Sequence, residues 1–523
     1  MNHLTKALLV LNLGLFLVAP TCVSRKVDRG SKSMDQYWAE TGLSPKELEA
    51  LLAPESCQVS QLNFLACVNA IEQMGERYSM ILNPQGQLQK IRSEDMERRV
   101  TEKKDLTPWG SLFEEMRTQI SFIDLFHSLL EKNVAAAEKS AVIASGINGF
   151  VSIYKDPHTY LMPVAMYEEV VSISESRNTN AGFIARRNQQ ELIVRKVYEG
   201  SPAQMAGLKR GDRILSLNGE KISSLLNSRI NELVRMKDIQ RLGLKILRNN
   251  ESEGKYLEIL RAETVYPSVV SRLLEGQKRI GLVTIHKFSK NICDLTRKHL
   301  IALKEQNIQG LLLDLRDNPG GQVEEAACIA NFFLAKGTII FETRYLDASK
   351  PSERYIAENE PIFQGPLGIL INSGSASASE IVAGALRDLN RAKLIGERTF
   401  GKGSFQDGRV WGPNSKIALF ETQGFYYFPS GWTPQLSGLQ PDVQVNFNLA
   451  DLREEELYLN PLVPTDSWSG PQTLSWLNEK ECDDALPSSL MPFASINSAE
   501  DPQLQKAQVI ISCGGKNGRN GSL

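Results

Sequence analysis

The chain has 523 residues, 42% of them hydrophobic and 23% charged, which is the composition of an ordinary soluble globular protein. At about 100–200 residues per domain, this length predicts three or so domains. The 59 Lys and Arg and the 61 Asp and Glu leave a net charge of −2, which argues against nucleic-acid binding. Only five His are present and no Cys or His spacing is typical of a metal site, so neither a metal nor another cofactor is predicted.

Residues 1–24 have the pattern of a signal peptide. The segment 7–18 is apolar apart from Asn12, and it is shorter than the roughly 20 residues that a membrane-spanning helix needs. We therefore expect export to the periplasm or the cell envelope, with cleavage near residues 22–25. Cys22 follows a short stretch of small residues, so a lipid anchor at Cys22 is the alternative to a plain secretory signal.

Once Cys22 is set aside, an even number of cysteines remains, at positions 57, 67, 293, 328, 482 and 513. Export would permit them to form disulfides. Cys57–Cys67 and Cys482–Cys513 are the expected pairs, but the connectivity stays open because sequence alone does not determine it.

Residues 34–164 are predicted to form a helical N-terminal domain. Ser44 is a good N-cap, and Pro45 suits the first position of the helix that follows. Farther along, apolar side chains recur at helical spacing, at Ile120, Ile123, Leu125, Phe126, Leu129 and Leu130. The sequence DPHT at 156–159 then ends the pattern, because the residue before a Pro avoids the helical conformation. Homodimerisation and adaptor binding are both open as roles of this domain.

Residues 165–263 change to short β-type runs separated by turns. The runs 192–194 and 244–247 are strand-like. Between them, the sequence GSPA at 200–203 predicts a turn into a short helix, and Asn218-Gly219 predicts a hairpin turn. Together with AGFI at 181–184 and GDRI at 211–214, this pattern resembles the PDZ domains of bacterial proteases.

The PDZ resemblance implies a binding site for chain ends. Such a domain binds a protein terminus by adding it as a strand beside a sheet edge. In this chain the backbone around Gly182, Phe183 and Ile184 would hold the terminal carboxylate, and the ligands would be proteins or peptides with free apolar C-termini. An unrelated small β domain is the alternative.

Residues 270–450 alternate between strand and helix patterns. Strand-like runs at 281–285, 310–315 and 367–371 are each followed by a helical pattern, at 292–304, 323–334 and 379–386. This alternation predicts βα units around a mostly buried sheet. Residues 451–523 form a weakly patterned C-terminal extension, and its Gly- and Asn-rich end at 514–523 is expected to be disordered.

Ser377 lies in the sequence NSGSASASE, between a predicted strand and a predicted helix. A hydroxyl at such a junction faces solvent beside helix N–H groups, which stabilise developing negative charge. Ser377 with Glu380 also fits a capping box, which needs no catalytic role.

Two other segments have the residues of an active site. Lys402 lies between two Gly, in a loop without the spacing of a phosphate-binding P-loop, and a solvated surface Lys is the alternative. The sequence DLRDNPGG at 314–321 ends a strand, and its Gly320-Gly321 pair could direct an N–H group into a cleft or could simply form a tight turn.

In this order, the three segments resemble the motifs of the C-terminal processing peptidases, which are tail-specific serine peptidases of the S41 type. The resemblance implies that Ser377 is the nucleophile, that Lys402, 25 residues later, is the base and that Gln406 supports Lys402. Asp388 matches a further position, which we interpret as structural. The implied fold is multidomain α+β, with a helical N-terminal domain, a β-sandwich-like PDZ domain and an α/β protease core of the ClpP/crotonase type.

The implied reaction is peptide-bond hydrolysis through an acyl-enzyme, since a neutral Ser needs a base to become a nucleophile. A Lys serves as that base only where apolar surroundings destabilise its ammonium, and Phe400 and Phe405 are candidates for those surroundings. His158 and His286 lie outside the motifs and are expected to be structural.

The oxyanion hole of this reaction would be made of backbone donors. The N–H of Ala378 would act together with the N–H of Gly320 or Gly321.

Two other function classes stay open. One is a catalytically inactive protease scaffold on which the PDZ domain binds partners, and the other is a crotonase-like acyl-CoA enzyme, because fold does not fix function. The latter would not need Ser377 and Lys402 at this spacing. For the peptidase, a PDZ domain covering the cleft until a substrate tail docks predicts low basal activity, raised by peptides with free apolar C-termini.

Overall fold

The computed structural model describes residues 34–91, 106–132, 136–166, 177–178, 181–188, 190–225, 230, 233–234, 240–248, 251, 253–260, 264–265, 267–274, 276, 278–411, 416–445, 462–464 and 501–513. The predictions for residues 1–24, for Cys482 and for residues 514–523 lie outside these ranges. Within them, no helix combines the length and the apolar character needed to cross a membrane.

The first part of the described chain is mostly helical, as predicted. Its elements are α1 (Met34–Thr41), α2 (Pro45–Leu52), α3 (Pro54–Cys57), α4 (Gln61–Glu76), β1 (Met80–Leu82), β2 (Leu88–Lys90), α5 (Thr107–Ser111), α6 (Phe113–Met116), α7 (Phe122–Leu130), α8 (Ala136–Tyr154) and β3 (Tyr160–Pro163). Their shared core includes the fully buried Leu48, Phe64, Ile71, Phe126 and Ile143. The helices are amphipathic and gain most of their stability from this packing.

Local signals in this region are partly confirmed. Ser44 caps α2, and its N–H donates to Glu47 Oε2 at 3.2 Å. Cys57 and Cys67 form the expected disulfide. The antiparallel pair β1 and β2 was not predicted, although its turn includes Gly86 with a positive φ of 75°.

Residues 177–265 include an antiparallel sheet. The elements are β4 (Arg177–Asn178), β5 (Phe183–Asn188), β6 (Glu191–Val197), α9 (Pro202–Met205), β7 (Arg213–Leu217), β8 (Glu220–Lys221), a 3₁₀ turn (Ile222–Ser224), β9 (Arg241–Leu247), β10 (Lys255–Leu260) and β11 (Thr264–Val265). The sheet order is β10-β9-β7-β6-β5, with β8 on β7, while β4 pairs with β11. The predicted order of strand, short helix, strand and hairpin is confirmed, with Asn218 and Gly219 both at positive φ in the turn.

The third region contains two sheets. Its elements are β12 (Val269–Leu274), β13 (Ile280–Ile285), α10 (Ile292–Glu305), β14 (Gly310–Asp314), α11 (Val323–Asn331), β15 (Ile339–Tyr345), β16 (Glu353–Ile356), β17 (Leu367–Ile371), α12 (Ala378–Asp388), β18 (Lys393–Gly396), β19 (Ser404–Trp411), β20 (Ile417–Tyr427), β21 (Val443–Gln444) and α13 (Pro502–Cys513). One sheet has the order β12-β13-β14-β17-β18-β21 and is parallel from β13 onward. The predicted βα alternation is therefore confirmed.

Both faces of this parallel sheet are covered. Successive residues of a strand point to opposite sides, so neighbouring residues pack in different clusters. Val283, Leu313 and Ile369 pack in the cluster that also contains the buried faces of α10, α11 and α12. On the other face, Leu312 and Leu370 pack in a cluster with α13. This helix lies in the C-terminal extension that appeared weakly patterned in the sequence.

The second sheet, with the order β16-β15-β20-β19, joins the helical region to the core, because β3 pairs antiparallel with β20. Ile417 of β20 belongs to the helical core. In the α/β region, Cys293 and Cys328 form a disulfide that links the start of α10 to α11, a pair that was not among the expected ones.

Candidate active site

Ser377 is the residue immediately before α12 and has a backbone conformation of φ 55° and ψ −117°. A positive φ is costly for a residue with a side chain, and such strain persists only where the surroundings impose it. The turn that leads to Ser377 is fixed by Ser375, whose hydroxyl donates to Leu315 O at 2.8 Å. The fold thus holds Ser377 at the strand-to-helix junction that the sequence predicted.

The loop 314–321 lies beside this turn. It leaves β14, the parallel neighbour of β17, and the carboxyl ends of neighbouring parallel strands meet at one edge of a sheet. Asn318 joins the two loops, since its carbonyl accepts from Ala376 N at 3.0 Å and from Ser379 Oγ at 2.9 Å. The second predicted segment is therefore in contact with the first.

Gly320 lies against the Ser377 backbone. Its φ is 95°, and a Cβ at this position would be 2.6 Å from Ala376 O, 2.8 Å from Ser377 Cβ and 2.9 Å from Ala378 N. Backbone atoms cannot rotate out of the way, so a side chain here would have to displace Ser377 or the loop.

For the peptide hydrolysis that the motifs imply, Gly320→Ala is therefore expected to lower kcat/KM at least about 100-fold, as misplacement of reacting groups does. Gly337→Ala is the matched control, since Gly337 also has a positive φ (88°) but a Cβ there has no neighbour within 4 Å. The control carries only the backbone strain, about 1–2 kcal/mol, and should keep its activity. Equal activities of the two variants in a peptide assay would contradict the prediction.

Lys402 is placed beside Gln406 as the sequence predicted. The Lys402 ammonium donates to Gln406 Oε1 at 2.6 Å and to Ser404 O at 3.1 Å. Gln406 is on β19, which starts directly after the loop. These ammonium contacts are polar, so the apolar surroundings proposed from Phe400 and Phe405 stay a prediction.

Glu380 connects the segment of Ser377 to that of Lys402. Its carboxylate is fully buried, and Oε2 accepts from Ser377 N and from Lys402 N, both at 2.9 Å. Oε1 accepts from Gly401 N at 2.9 Å and from Thr399 Oγ1 at 2.5 Å. The capping box expected from the sequence is present, and the same carboxylate also fixes the loop of Lys402.

Burial raises the pKa of Glu380 to about 7, against the lowering effect of these hydrogen bonds. Tyr426 makes a second link, because its buried hydroxyl donates to Lys402 O at 2.8 Å and lies 3.3 Å from Ser377 O. The positions of the Ser377 and Lys402 backbones are therefore coupled through two buried side chains.

The predicted oxyanion donors differ in their contacts. The Gly320 N–H donates to Asn318 Oδ1 at 2.9 Å, so in this structure it is already used. Gly321, with a φ of 147°, lies against Phe288, whose carbonyl oxygen would be 2.1 Å from an added Cβ. We therefore retain the N–H groups of Ala378 and Gly321 as the candidate pair.

The His residues set aside in the sequence analysis do not enter this arrangement. Burial, reinforced by the Lys196 ammonium, lowers the pKa of His286 to about 3, so this imidazole is neutral near pH 7. His286 lines a cavity of about 430 Å³ together with residues of β6 and of the loop 314–321.

Asp388 accepts from Ser430 N at 2.8 Å, which agrees with a structural interpretation. In the described ranges, no group of three or more His, Cys, Asp and Glu side chains could hold a metal ion.

Comparison with known proteins supports the interpretation of the chain as a peptidase with a PDZ domain. Residues 279–445 match the sequence model of Peptidase family S41, and residues 174–257 match that of the PDZ domain. A probable CtpA-like serine protease of Staphylococcus epidermidis is 29% identical over 350 residues, covering 64% of this chain and 67% of that protein. The chain contains a serine-type peptidase domain of family S41. A probable CtpA-like serine protease of Staphylococcus aureus is 30% identical to this S41 peptidase over 314 residues, covering 58% of the chain and 60% of that protein.

Solved structures similar to the S41 peptidase include a photosystem II D1 C-terminal processing protease. It is 23% identical, covers 65% of this chain and 92% of its own, and has a TM-score of 0.44. A putative S41 protease from Bacteroides fragilis is 18% identical, covers 68% of this chain and 86% of its own, and has a TM-score of 0.46.

The predicted carboxylate-binding residues of the PDZ domain lie at the start of β5. Gly182 precedes the strand with a φ of 84°, and Phe183 and Ile184 begin it. In the described part of the chain, β5 is the last strand of its sheet, which is the position that strand addition requires.

The PDZ domain also contacts the loops of Gly320 and Ser377 directly. Arg195 of β6, only 2% exposed, donates from Nε to Asp317 Oδ1 and from Nη2 to Ser373 Oγ, both at 3.1 Å. Asp317 belongs to the loop of Gly320, and Ser373 to the turn that leads to Ser377. Lys196, the next residue, donates to Arg316 O at 3.1 Å.

Several residues that arrange the site are not predicted from the sequence. Glu380 is predicted only as a helix cap, and no motif includes Tyr426 or Arg195. The spacing of Ser377 and Glu380 was a signal for the first of these. A Tyr in an apolar strand and an Arg in a β run carry no comparable signal, because their partners are far away in sequence.

Proposed function

We propose that the S41 peptidase is an endopeptidase that cleaves exported or envelope proteins with Ser377 as nucleophile and Lys402 as general base. The observation that carries the proposal is the Glu380 carboxylate, which accepts hydrogen bonds from the Ser377 and Lys402 backbones at 2.9 Å each. A scaffold protein would have no need to fix these two residues to one buried acceptor.

In the proposed reaction, neutral Lys402 takes the proton of the Ser377 hydroxyl while Oγ attacks the peptide carbonyl carbon. The resulting ammonium gives this proton to the leaving amine when the C–N bond breaks, leaving an acyl-enzyme. Lys402 then takes a proton from water, and the hydroxide released attacks the ester. Collapse of the second intermediate returns the proton to Ser377 Oγ and frees the carboxylic acid product. Gln406 Oε1 accepts from Lys402 throughout and holds the amine in place.

Developing negative charge on the carbonyl oxygen needs donors that are already in place. Ala378 N is at the start of α12, where the positive end of the helix dipole adds to the effect. The Gly321 N–H is the second proposed donor.

The experiment is casein degradation by the chain without residues 1–24, with and without a peptide that ends in an apolar residue and a free carboxylate. Cleavage supports the peptidase. A preparation that is folded but inert under both conditions favours the inactive PDZ scaffold, and capture of partners through the PDZ domain would then be the next measurement.

We further propose that docking of a substrate C-terminus on β5 raises the activity. The contacts of Arg195 with Asp317 and Ser373 give a physical route, since a shift of β6 acts on both catalytic loops. Addition of a free apolar C-terminal peptide is expected to raise the cleavage rate of a short reporter substrate. The same peptide with an amidated C-terminus should have little effect, and equal activation by both would contradict carboxylate recognition.

We propose that the protein acts in the periplasm or cell envelope after removal of a signal peptide. The disulfides Cys57–Cys67 and Cys293–Cys328 support this, because disulfides persist in oxidising compartments. N-terminal sequencing of the exported protein is expected to find a start between residues 22 and 25. Release from membranes by Cys22→Ala would favour the lipid-anchored alternative, and an intact N-terminus in the cytoplasmic fraction would contradict export. The dimer and adaptor roles of the helical region stay predictions.

A further inference from the structure

Asp156, in the DPHT sequence, is a buried carboxylate that the proposed reaction leaves without a role. The residue is 3% exposed, and its carboxylate accepts from His158 N at 2.9 Å and from Thr159 Oγ1 at 2.6 Å. A third hydrogen bond comes from Thr422 Oγ1 at 2.8 Å, on β20. A buried carboxylate needs such partners, but only the third leads toward the active site.

Thr422 connects Asp156 to Gln406. The two residues face each other in the antiparallel pairing of β19 and β20, and Gln406 Nε2 lies 3.2 Å from Thr422 Oγ1. Gln406 Nε2 also donates to Ser404 Oγ at 3.1 Å, and Gln406 Oε1 accepts from Lys402 Nζ at 2.6 Å. A continuous series of hydrogen bonds therefore runs from Asp156 to Lys402.

The donors and acceptors in this series can be ordered in one way only. The Thr422 hydroxyl donates to Asp156 Oδ1, so its single proton is directed to the carboxylate. Thr422 Oγ1 can then only accept from Gln406, which requires the NH₂ of the amide to face Thr422. The carbonyl oxygen of Gln406 must consequently face Lys402. The opposite amide orientation would place two acceptors against each other at Thr422 Oγ1, and two donors against each other at Lys402 Nζ.

We propose that Asp156 and Thr422 are positioning residues that set the orientation of the Gln406 amide and thereby hold the amine of Lys402. The inference deepens the proposed function and rests on Lys402 being the base. It gives the end of the helical region a part in catalysis, through a loop that leads into β3 and its pairing with β20.

The first test compares Thr422→Val with Thr422→Ser. Val keeps the shape of Thr but has no hydroxyl, so the amide of Gln406 loses its orientation, whereas Ser keeps the hydroxyl. Thr422→Val is expected to lower kcat about tenfold or more with KM within about twofold, as loss of positioning does. Thr422→Ser should stay within about threefold of the wild type in kcat. Equal kcat values for Val and wild type would overturn the proposal.

A purely structural role of Thr422 is separated by a double-mutant cycle. If Thr422 acts through Gln406, Thr422→Val should have almost no further effect on kcat in a Gln406→Ala background. Additive losses would overturn the proposal, even if both single variants are slow. Where turnover of the Gln406→Ala variants is too slow to measure, the rate at which a fluorophosphonate modifies Ser377 replaces kcat.

Asp156→Ala removes the acceptor of the Thr422 hydroxyl and is expected to reproduce the loss in kcat. It also leaves Thr159 without its acceptor, so its melting temperature is measured alongside, and the Thr422 variants decide if it does not fold. Wild-type kcat in a folded Asp156→Ala variant would remove Asp156 from the proposal. Activity retained by Ser377→Ala or Lys402→Ala would instead contradict the proposed function itself.

Discussion

Ser377→Ala and Lys402→Ala are each expected to lower kcat for casein or peptide hydrolysis about 10⁴-fold or more, because nucleophile and base act as one unit. The double variant should be hardly slower than either single one. Lys402→Arg is expected to be equally inactive, since a guanidinium keeps the positive charge but does not give up a proton near neutral pH. Steady-state cleavage of a quenched fluorescent peptide measures all four.

Ser349→Ala and Lys350→Ala are the matched controls, because both residues are exposed in the turn after β15. They should cleave like the wild type. Substantial activity of Lys402→Arg would contradict a role of Lys402 as the base and leave only an electrostatic one. Substantial activity of Ser377→Ala would contradict the nucleophile assignment.

Glu380→Gln is expected to lower kcat/KM at least about 100-fold in a protein that still contains Ser377 and Lys402. The carboxylate accepts from four donors, while an amide has one oxygen and turns an NH₂ toward two of them. Either Ser377 or the Lys402 loop must then move away. The same peptide assay gives the loss, and circular dichroism shows whether the variant is folded.

The control for Glu380→Gln is Glu324→Gln, which changes an exposed first-turn Glu of α11. It should leave kcat/KM unchanged. Wild-type activity in Glu380→Gln would show that the segments of Ser377 and Lys402 do not depend on the shared carboxylate.

The raised pKa of Glu380 also predicts a pH dependence of stability. Its pKa is about 7 in the folded protein and 4.5 ordinarily, so its favourable contribution is fully present below pH 4.5 and is lost as the pH rises through 7. Glu380→Gln does not titrate at this position. The melting temperature of the wild type minus that of Glu380→Gln should therefore fall between pH 5 and pH 8, and a constant difference would contradict the assignment.

Much of the architecture follows from local sequence. The capping of α2 by Ser44, the Asn218-Gly219 hairpin and the alternation of apolar strands with helices depend on neighbours within a few residues. Such signals can be read directly, because hydrogen bonds and burial patterns repeat with the period of the element. The same holds for the motifs around Ser377, Lys402 and Gln406.

The disulfide Cys293–Cys328 and the helix α13 are features that local sequence patterns do not predict. Both depend on distant partners: the disulfide joins α10 to α11, and α13 becomes stable by packing on Leu312 and Leu370. A twelve-residue helix has little stability of its own. The apolar residues of α13 also form only a weak amphipathic pattern, so its sequence is a poor predictor of a helix.

The sequence by itself determined the order of the helical, antiparallel-sheet and βα regions and the residue types of the candidate site, because these depend on residue type and short spacing. Only the tertiary structure decided that Glu380 joins Ser377 to Lys402, that Arg195 connects β6 to the loops of Gly320 and Ser377, and that Asp156 reaches Gln406 through Thr422. These contacts join residues brought together by the pairing of parallel strands and by β3 on β20. A buried charge is stable only with its partners in place, and their identity is set by the packed fold rather than by spacing along the chain.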